Sequence, residues 1–514
     1  MTRRIAFVVA IATLAFGTTF ANPSSSSCQR WYEWSTDGVF DGHTFSGSVP
    51  RGTDNHMSYF DTPLFLSPNV TETKVAGRIM GGFWPSGRGG SFLASGFWNF
   101  NFFDENEASS TWLSANLGFG DENSTVKAPN VVTGGTGRYV GFVGSLETKV
   151  INSDPLVIQY DLCPSQYVID DVTECKEVFE WSLSGTRTIN NSSFSGSVPF
   201  PSNTSYGEVA NTPTFPNANL TPSEVNGRLV AQFFFDRITT ASGSFNFGTF
   251  PAGNDTDTDD WVSVNFGFGP LDTSLDGSFT RGTPNIVVGG TGKYSGFVGS
   301  MRDKAVSTDP NPLVFLYEIC PSEETEPSPD VMESCFSVYE WSTSRRSNFS
   351  GYQFAGTALY EEGDEHTGVF DTPFFASPDV ENSEVMGRVI GYYIPNGRGA
   401  ASGLWNFAFF EKGSEDSENW IAASLGFDDD DTATSPNVIT GGSGAFSGFT
   451  GTIEQQIVSF DPFVIEWIIC PPIRDDSGDS ANSSDSSGGS SFTVWTFEVI
   501  SGLACMMQLV LLLC

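Results

Sequence analysis

Asn130-Val131-Val132-Thr133-Gly134-Gly135-Thr136-Gly137-Arg138-Tyr139 occurs three times in this chain, returning with small changes at Asn285 to Tyr294 and at Asn437 to Phe446. Outward from it, other markers recur in the same order. Glu33-Trp34-Ser35 returns as Glu180-Trp181-Ser182 and Glu340-Trp341-Ser342. Gly77-Arg78 returns as Gly227-Arg228 and Gly387-Arg388, and Asp154-Pro155 as Asp309-Pro310 and Asp461-Pro462. A constant order of markers means three copies of one unit. Within a unit, Leu113, Ala115, Leu117 and Phe119 alternate with Trp112, Ser114, Asn116 and Gly118, the period-two pattern of a half-buried strand. Trp98, Phe100 and Phe102 likewise share a face opposite Asn99 and Asn101. Gly-rich turns separate such strands, and no amphipathic helix stands out. About 140 residues of short strands fit a closed barrel or a sandwich, so the expected fold class is all-β, three tandem antiparallel domains.

Cysteines bracket each copy: Cys28 and Cys163, Cys175 and Cys320, Cys335 and Cys470. Six cysteines allow fifteen pairings, but the repeat reduces them to one bridge per unit, first strand to last. Such bridges persist in an oxidising compartment. The units are therefore 28–163, 175–320 and 335–470, with the short connections 164–174 and 321–334 expected to act as semi-rigid spacers.

The ends carry targeting signals. Residues 1–21 read as a secretory signal peptide, with basic Arg3 and Arg4, an apolar run from Ile5 to Phe16 and the small-x-small site Thr19-Phe20-Ala21. Residues 471–491 form a Ser/Asp-rich spacer, and 492–514 a hydrophobic segment with no Lys or Arg behind it. That arrangement predicts a glycosylphosphatidylinositol anchor, attached between Asn482 and Ser490. A C-terminal transmembrane helix is the alternative. Glycosylation sequons start at Asn69, Asn123, Asn190, Asn191, Asn203, Asn219, Asn254, Asn348 and Asn482. The net charge of -37 argues against a nucleic-acid partner, which needs clustered positive charge. The expected location is the extracellular face of the plasma membrane or the cell wall.

The segment Val132 to Gly144, with its copies ending at Gly299 and Gly451, resembles the GGTG-(K/R)-(F/Y) hairpin of the allene oxide cyclase and dirigent barrels. The resemblance implies an eight-stranded antiparallel barrel with an apolar cavity and no cofactor, and cyclase or radical-steering activity governed by shape. Where dirigent proteins carry arginine before the closing glycine, this chain has Val143, Val298 and Thr450, so no catalytic residue is carried over.

Three charged positions recur as ligand-pocket candidates: Glu33, Glu180 and Glu340; Arg78, Arg228 and Arg388; Asp154, Asp309 and Asp461. One reading sets Arg and a carboxylate in a barrel mouth against a substrate. The other makes an Arg–Glu pair bonding barrel ends or backbone carbonyls, and is favoured. His56 and His366 precede Asp61 and Asp371 at equivalent places and suggest acid/base pairs, weighed against solvated loops. A phosphate loop at Gly134–Gly137 is excluded because a strand follows rather than a helix. No spacing suits a metal site. Acidic runs at 255–260, 428–431 and 104–107 offer at most weak calcium binding. The aromatic residues suit either sugar-stacking platforms or core. The expected function is display, adhesion, or capture of a glycan or apolar small molecule. A cyclase- or dirigent-like activity is the alternative.

Overall fold

The computed structural model describes residues 28–471, apart from 52–56, 71–73, 87–92, 104–110, 121–128, 166–173, 200–206, 236–240, 251–259, 269–284, 308–312, 322–333, 344, 363–364, 396–400, 412–413 and 428–436. The signal segment, the hydrophobic tail, most of both spacers and most of the acidic runs lie outside the described residues, as do Asp309 and His56. Among the described residues no helix is long and apolar enough to cross a membrane.

The first unit comprises ten strands: β1 (Gln29–Trp34), β2 (Asp37–Phe40), β3 (His43–Arg51), β4 (Met57–Phe65), β5 (Val75–Ser86), β6 (Leu93–Phe102), β7 (Thr111–Gly120), β8 (Asn130–Gly135), β9 (Gly144–Ser153) and β10 (Leu156–Pro164). Neighbours pair antiparallel, and β1 closes the ring by pairing both β10 and β4. This leaves an eight-stranded barrel with β3 and β2 as an arm beyond β4. The second and third units repeat the design, with Lys176–Ser182 pairing Gly207–Phe215 and Phe336–Trp341 pairing Glu365–Phe375 at the seams. The expected bridges are formed: Cys28–Cys163, Cys175–Cys320 and Cys335–Cys470, each tying the start of a barrel to its end.

The alternation read from the sequence is correct, but its polar face is not solvated. Leu113, Ala115 and Leu117 point into the lumen. Trp112, Ser114 and Asn116, on the outer face, are buried as well, because the barrels pack on one another. Asn130–Gly135, Asn285–Gly290 and Asn437–Ser443 meet around a pseudo-threefold axis, and each barrel touches both others. The tandem units thus form one closed cluster rather than spaced beads. Small polar side chains suit such a face, because they bury there while hydrogen-bonding across it. The Asn116 amide donates to Ser244 Oγ at 2.9 Å and Ser424 Oγ donates to Asn99 Oδ1 at 2.9 Å.

The contacts run in one sense around the axis. Trp112 of the first barrel packs on Val438 of the third, Trp261 of the second on Val131 of the first, and Trp420 of the third on Ile286 and Val288 of the second. The repeated Gly-Gly explains itself here. A Cβ on Gly134 would stand 2.8 Å from Ile439 O, one on Gly289 2.6 Å from Val132 O, and one on Gly441 3.2 Å from Val287 O. The first glycine therefore admits the neighbouring barrel's backbone. The second, Gly135 in the first copy, lies under Tyr139, where a Cβ would sit 2.6 Å from its carbonyl oxygen. The third, Gly137, Gly292 or Gly444, takes φ of 55, 58 or 59°, which a side chain resists.

The axis itself is filled unequally. Tyr392 of the third barrel, fully buried, packs tilted against Phe234 of the second at 4.5 Å and edge-on against Phe97 of the first at 6.3 Å. Gln232 and Gly82 hold the equivalent positions in the other two copies. Gly289→Val is expected to overpack the joint between the first two barrels and lower stability by about 1–3 kcal/mol. Denaturant unfolding checks the loss, and hydrogen exchange should rise first across Val131–Thr133.

Candidate functional site

The three recurring charges do not form one site. Glu33 sits in β1 opposite Leu64, at the seam where β1 lies between β4 and β10, with its side chain in the lumen. Thr62 of β4 donates to Oε1 at 2.9 Å and Tyr160 of β10 donates to Oε2 at 2.6 Å. Glu180 receives Thr212 at 2.7 Å and Tyr317 at 2.6 Å. Glu340 receives Thr372 at 2.7 Å and the Trp467 indole at 2.8 Å. Each carboxylate thus bonds the two strands flanking its own and staples the closure. Burial raises all three carboxyl pKa values above the ordinary range, with the two donors acting the other way. Tyr160 and Tyr317 are pushed up by burial and by the facing carboxylate.

The arginines lie on the other side of the wall. Ile79 points into the lumen, so Arg78 points outward, where it stacks on Phe45 of the arm at 5.1 Å. It approaches Asp61 at 3.1 Å and donates to Thr44 O at 2.6 Å. Arg388 repeats this with Phe354, Asp371 and Gln353 O. The expected Arg–Glu pair is therefore corrected to Arg–Asp: strand parity sends the two charges to opposite faces. The barrel-mouth arrangement of Arg with carboxylate is corrected for the same reason, while the expected bond to a backbone carbonyl is present. Asp61 and Asp371, suggested as histidine partners, serve these arginines. The side chain of His366 lies outside the described residues. Arg228 of the second barrel stacks on Phe194, but its polar partner is the neutral Asn211 at 3.2 Å. Burial lowers its pKa to about 10.

Asp154 and Asp461 are exposed on the turns joining the last two strands of their barrels, not in a pocket. Among the sequon asparagines, Asn69, Asn190, Asn191, Asn219 and Asn348 are exposed. Asn123, Asn203, Asn254 and Asn482 lie outside the described residues.

What the sequence did not reveal is how differently the three lumens are filled at the end beneath the Gly-rich turn. In the first barrel Trp31, Phe102 and Tyr139 occupy that space, with Phe102 4.8 Å from Trp31 and 5.0 Å from Tyr139. In the third, Phe409 lies 6.1 Å from Phe336 and 4.7 Å from Phe446. In the second, Val178 and Thr249 replace the larger rings, and a cavity of about 330 Å³ opens among Lys176, Phe247, Val262, Tyr294, Phe297 and Ile319. Glu180 does not line it. Phe247 of its wall meets Tyr317 edge-to-face at 5.1 Å, and Tyr317 donates to Glu180. Aligning the copies exposes the clue: Thr249 against Phe102 and Phe409, and Lys176 against Gln29 and Phe336. Asp303, a further buried acid of the second lumen, has no acidic counterpart, since Thr148 and Gln455 stand there.

The fold and its interior thus define a class: a one-chain cluster of three disulfide-closed β-barrels, with aromatic rings packed at the ends of the first and third lumens and, among the described residues, a pocket at the end of the second. Comparison with protein-family models, with curated proteins and with solved structures finds no match to the chain.

Three outcomes follow. The folded pKa of Glu180 exceeds its unfolded value, so its protonation favours folding. That contribution is full below the unfolded carboxylate value, about 4.3, and is lost as pH rises through the folded value. Glu180→Gln should therefore gain stability relative to the parent as pH rises from 4 towards 7, read as the difference between two melting curves. Asn211→Asp gives Arg228 the carboxylate its counterparts have. It should stabilise the second barrel, whereas Asp61→Asn should cost the first about 3–5 kcal/mol by leaving a buried charge unpaired. Denaturant titration checks both.

Proposed function

We propose that this chain is a secreted, glycosylated, membrane-anchored cell-surface protein whose three barrels serve binding or a structural, adhesive role. The observation that carries the reading is the interior. Rings fill the ends of the first and third lumens, and the recurring glutamates are held in the seams by two donors each. A repeated catalytic pocket needs repeated open space. The acidic charge, the three bridges and the exposed sequon asparagines support an extracellular setting.

A second reading, dirigent- or cyclase-like turnover of an apolar or phenolic molecule, is favoured by one feature. The second barrel keeps a lumen pocket beneath the hairpin that resembles that family. Its eight-stranded antiparallel closure is also what the resemblance implies. In this reading the second barrel is the competent copy and the other two are its scaffold.

Expression of the full chain in a secretory eukaryotic host tests the first reading. Phosphatidylinositol-specific phospholipase C should release the protein from intact cells, and peptide N-glycosidase should lower its apparent mass. Retention on the membrane with an unchanged mass overturns it.

A further inference from the structure

The geometry points to an anion site in the second barrel, taking one small amphiphilic carboxylate per chain, its head on Lys176 and its apolar body in the lumen pocket. The proposal rests on the binding role argued above and names the ligand class. Lys176 begins the first strand of the barrel and turns its ammonium inward over the Tyr294 ring, 5.1 Å from the centroid. It donates to the Tyr294 hydroxyl at 2.5 Å and to Thr249 Oγ1 at 3.2 Å. Among the described residues it forms no ion pair. That is unusual in a chain of net charge -37, where carboxylates are plentiful. The second basic group at the pocket, Lys293, is committed to Asp260 at 2.9 Å.

Most of the remaining wall is apolar, Val178, Phe247, Val262, Phe297 and Ile319, with Thr214 and Asn226, hydrogen-bonded to each other, as its polar members. An apolar chamber with one partly buried cation suits a molecule that is apolar along its length and anionic at one end. A space of about 330 Å³ admits an aliphatic chain of about ten carbons or a single substituted aromatic ring.

The other copies lack the site for identifiable reasons. Gln29 and Phe336 replace the lysine. Tyr139 donates to Gln29 at 2.9 Å, and burial, partly offset by Arg138, pushes its phenol up to about 12. At the same motif position, burial acts to raise Tyr294 too, but Lys176 and, more weakly, Thr249 and Lys293 outweigh it and lower the phenol. The Tyr294 hydroxyl thus serves as the hydrogen-bond acceptor for Lys176, a place an incoming carboxylate takes over.

Calorimetric titration of the secreted, deglycosylated full chain with decanoate and, separately, with 1-decanol tests this. Decanoate should bind with one equivalent per chain and at least about tenfold more tightly than decanol. Lys176→Met, which keeps the stem and removes the charge, should abolish that preference while decanol still binds. Ultraviolet titration should show one tyrosine ionising below the others, moving up when decanoate is bound and in Lys176→Met. Equal affinity for the acid and the alcohol overturns the anion site but leaves an apolar pocket. Three equivalents of decanoate, or a preference that survives Lys176→Met, overturns the assignment to the second barrel. No binding of either probe overturns both the anion site and the pocket's binding role.

Discussion

Everything in this molecule hangs on one joint: a tryptophan of one barrel pressed on the Gly-rich strand of the next. Trp112, Trp261 and Trp420 are each at most 1% exposed, yet they stand on the outer face of their barrels. Burial of this kind is worth several kcal/mol per ring when it is well packed. It requires that the tryptophan's own barrel carry no side chain where the facing strand's backbone comes up beside the ring. Gly134, Gly289 and Gly441 meet that requirement, with the neighbouring barrel's backbone within 3.2 Å of where a Cβ would stand. The motif that looks like a turn signal is therefore also the contact surface of a trimer made from one chain.

Fusing the three copies frees them to differ, as separate identical subunits cannot. The axis uses that freedom: Tyr392, Gln232 and Gly82 occupy one position in the three repeats, a large, a medium and an absent side chain sharing a space that three tyrosines would overfill. The lumens use it as well. Each barrel keeps the glutamate staple at its seam. The residues beyond diverge into two ring-filled ends and one pocket. Structure is held in common, and the proposed ligand site lies in one copy.

Much of the fold was legible in the sequence, because it depends on local pattern. Period-two alternation gives strands, recurrent glycines give turns, and bracketing cysteines give closure. The packing between barrels was not legible from alternation alone, since a polar outer face reads as solvated. The face was distinctive in composition, however. Asn99, Ser114 and Asn116 are small and uncharged, whereas a wet face in this chain would carry Asp and Glu. The recurring charges misled for a related reason. Glu33 and Arg78 recur together in every copy, yet strand parity puts one inside the barrel and the other outside under the arm. Parity counted from the lumen residues Trp31 and Ile79 was available in the sequence and separates them. The pocket depended on differences between copies, Thr249 against Phe102 and Phe409 above all, which a search for recurrence passes over.

Small-angle X-ray scattering of the secreted protein tests the closed cluster most directly. A compact body of the described length has a radius of gyration of about 22 Å, raised only slightly by glycans, and the account predicts a value close to it with a single-peaked distance distribution. A radius well above about 30 Å with a distribution showing separate inter-domain maxima would mean three barrels strung apart, and would contradict the joint on which the structure rests.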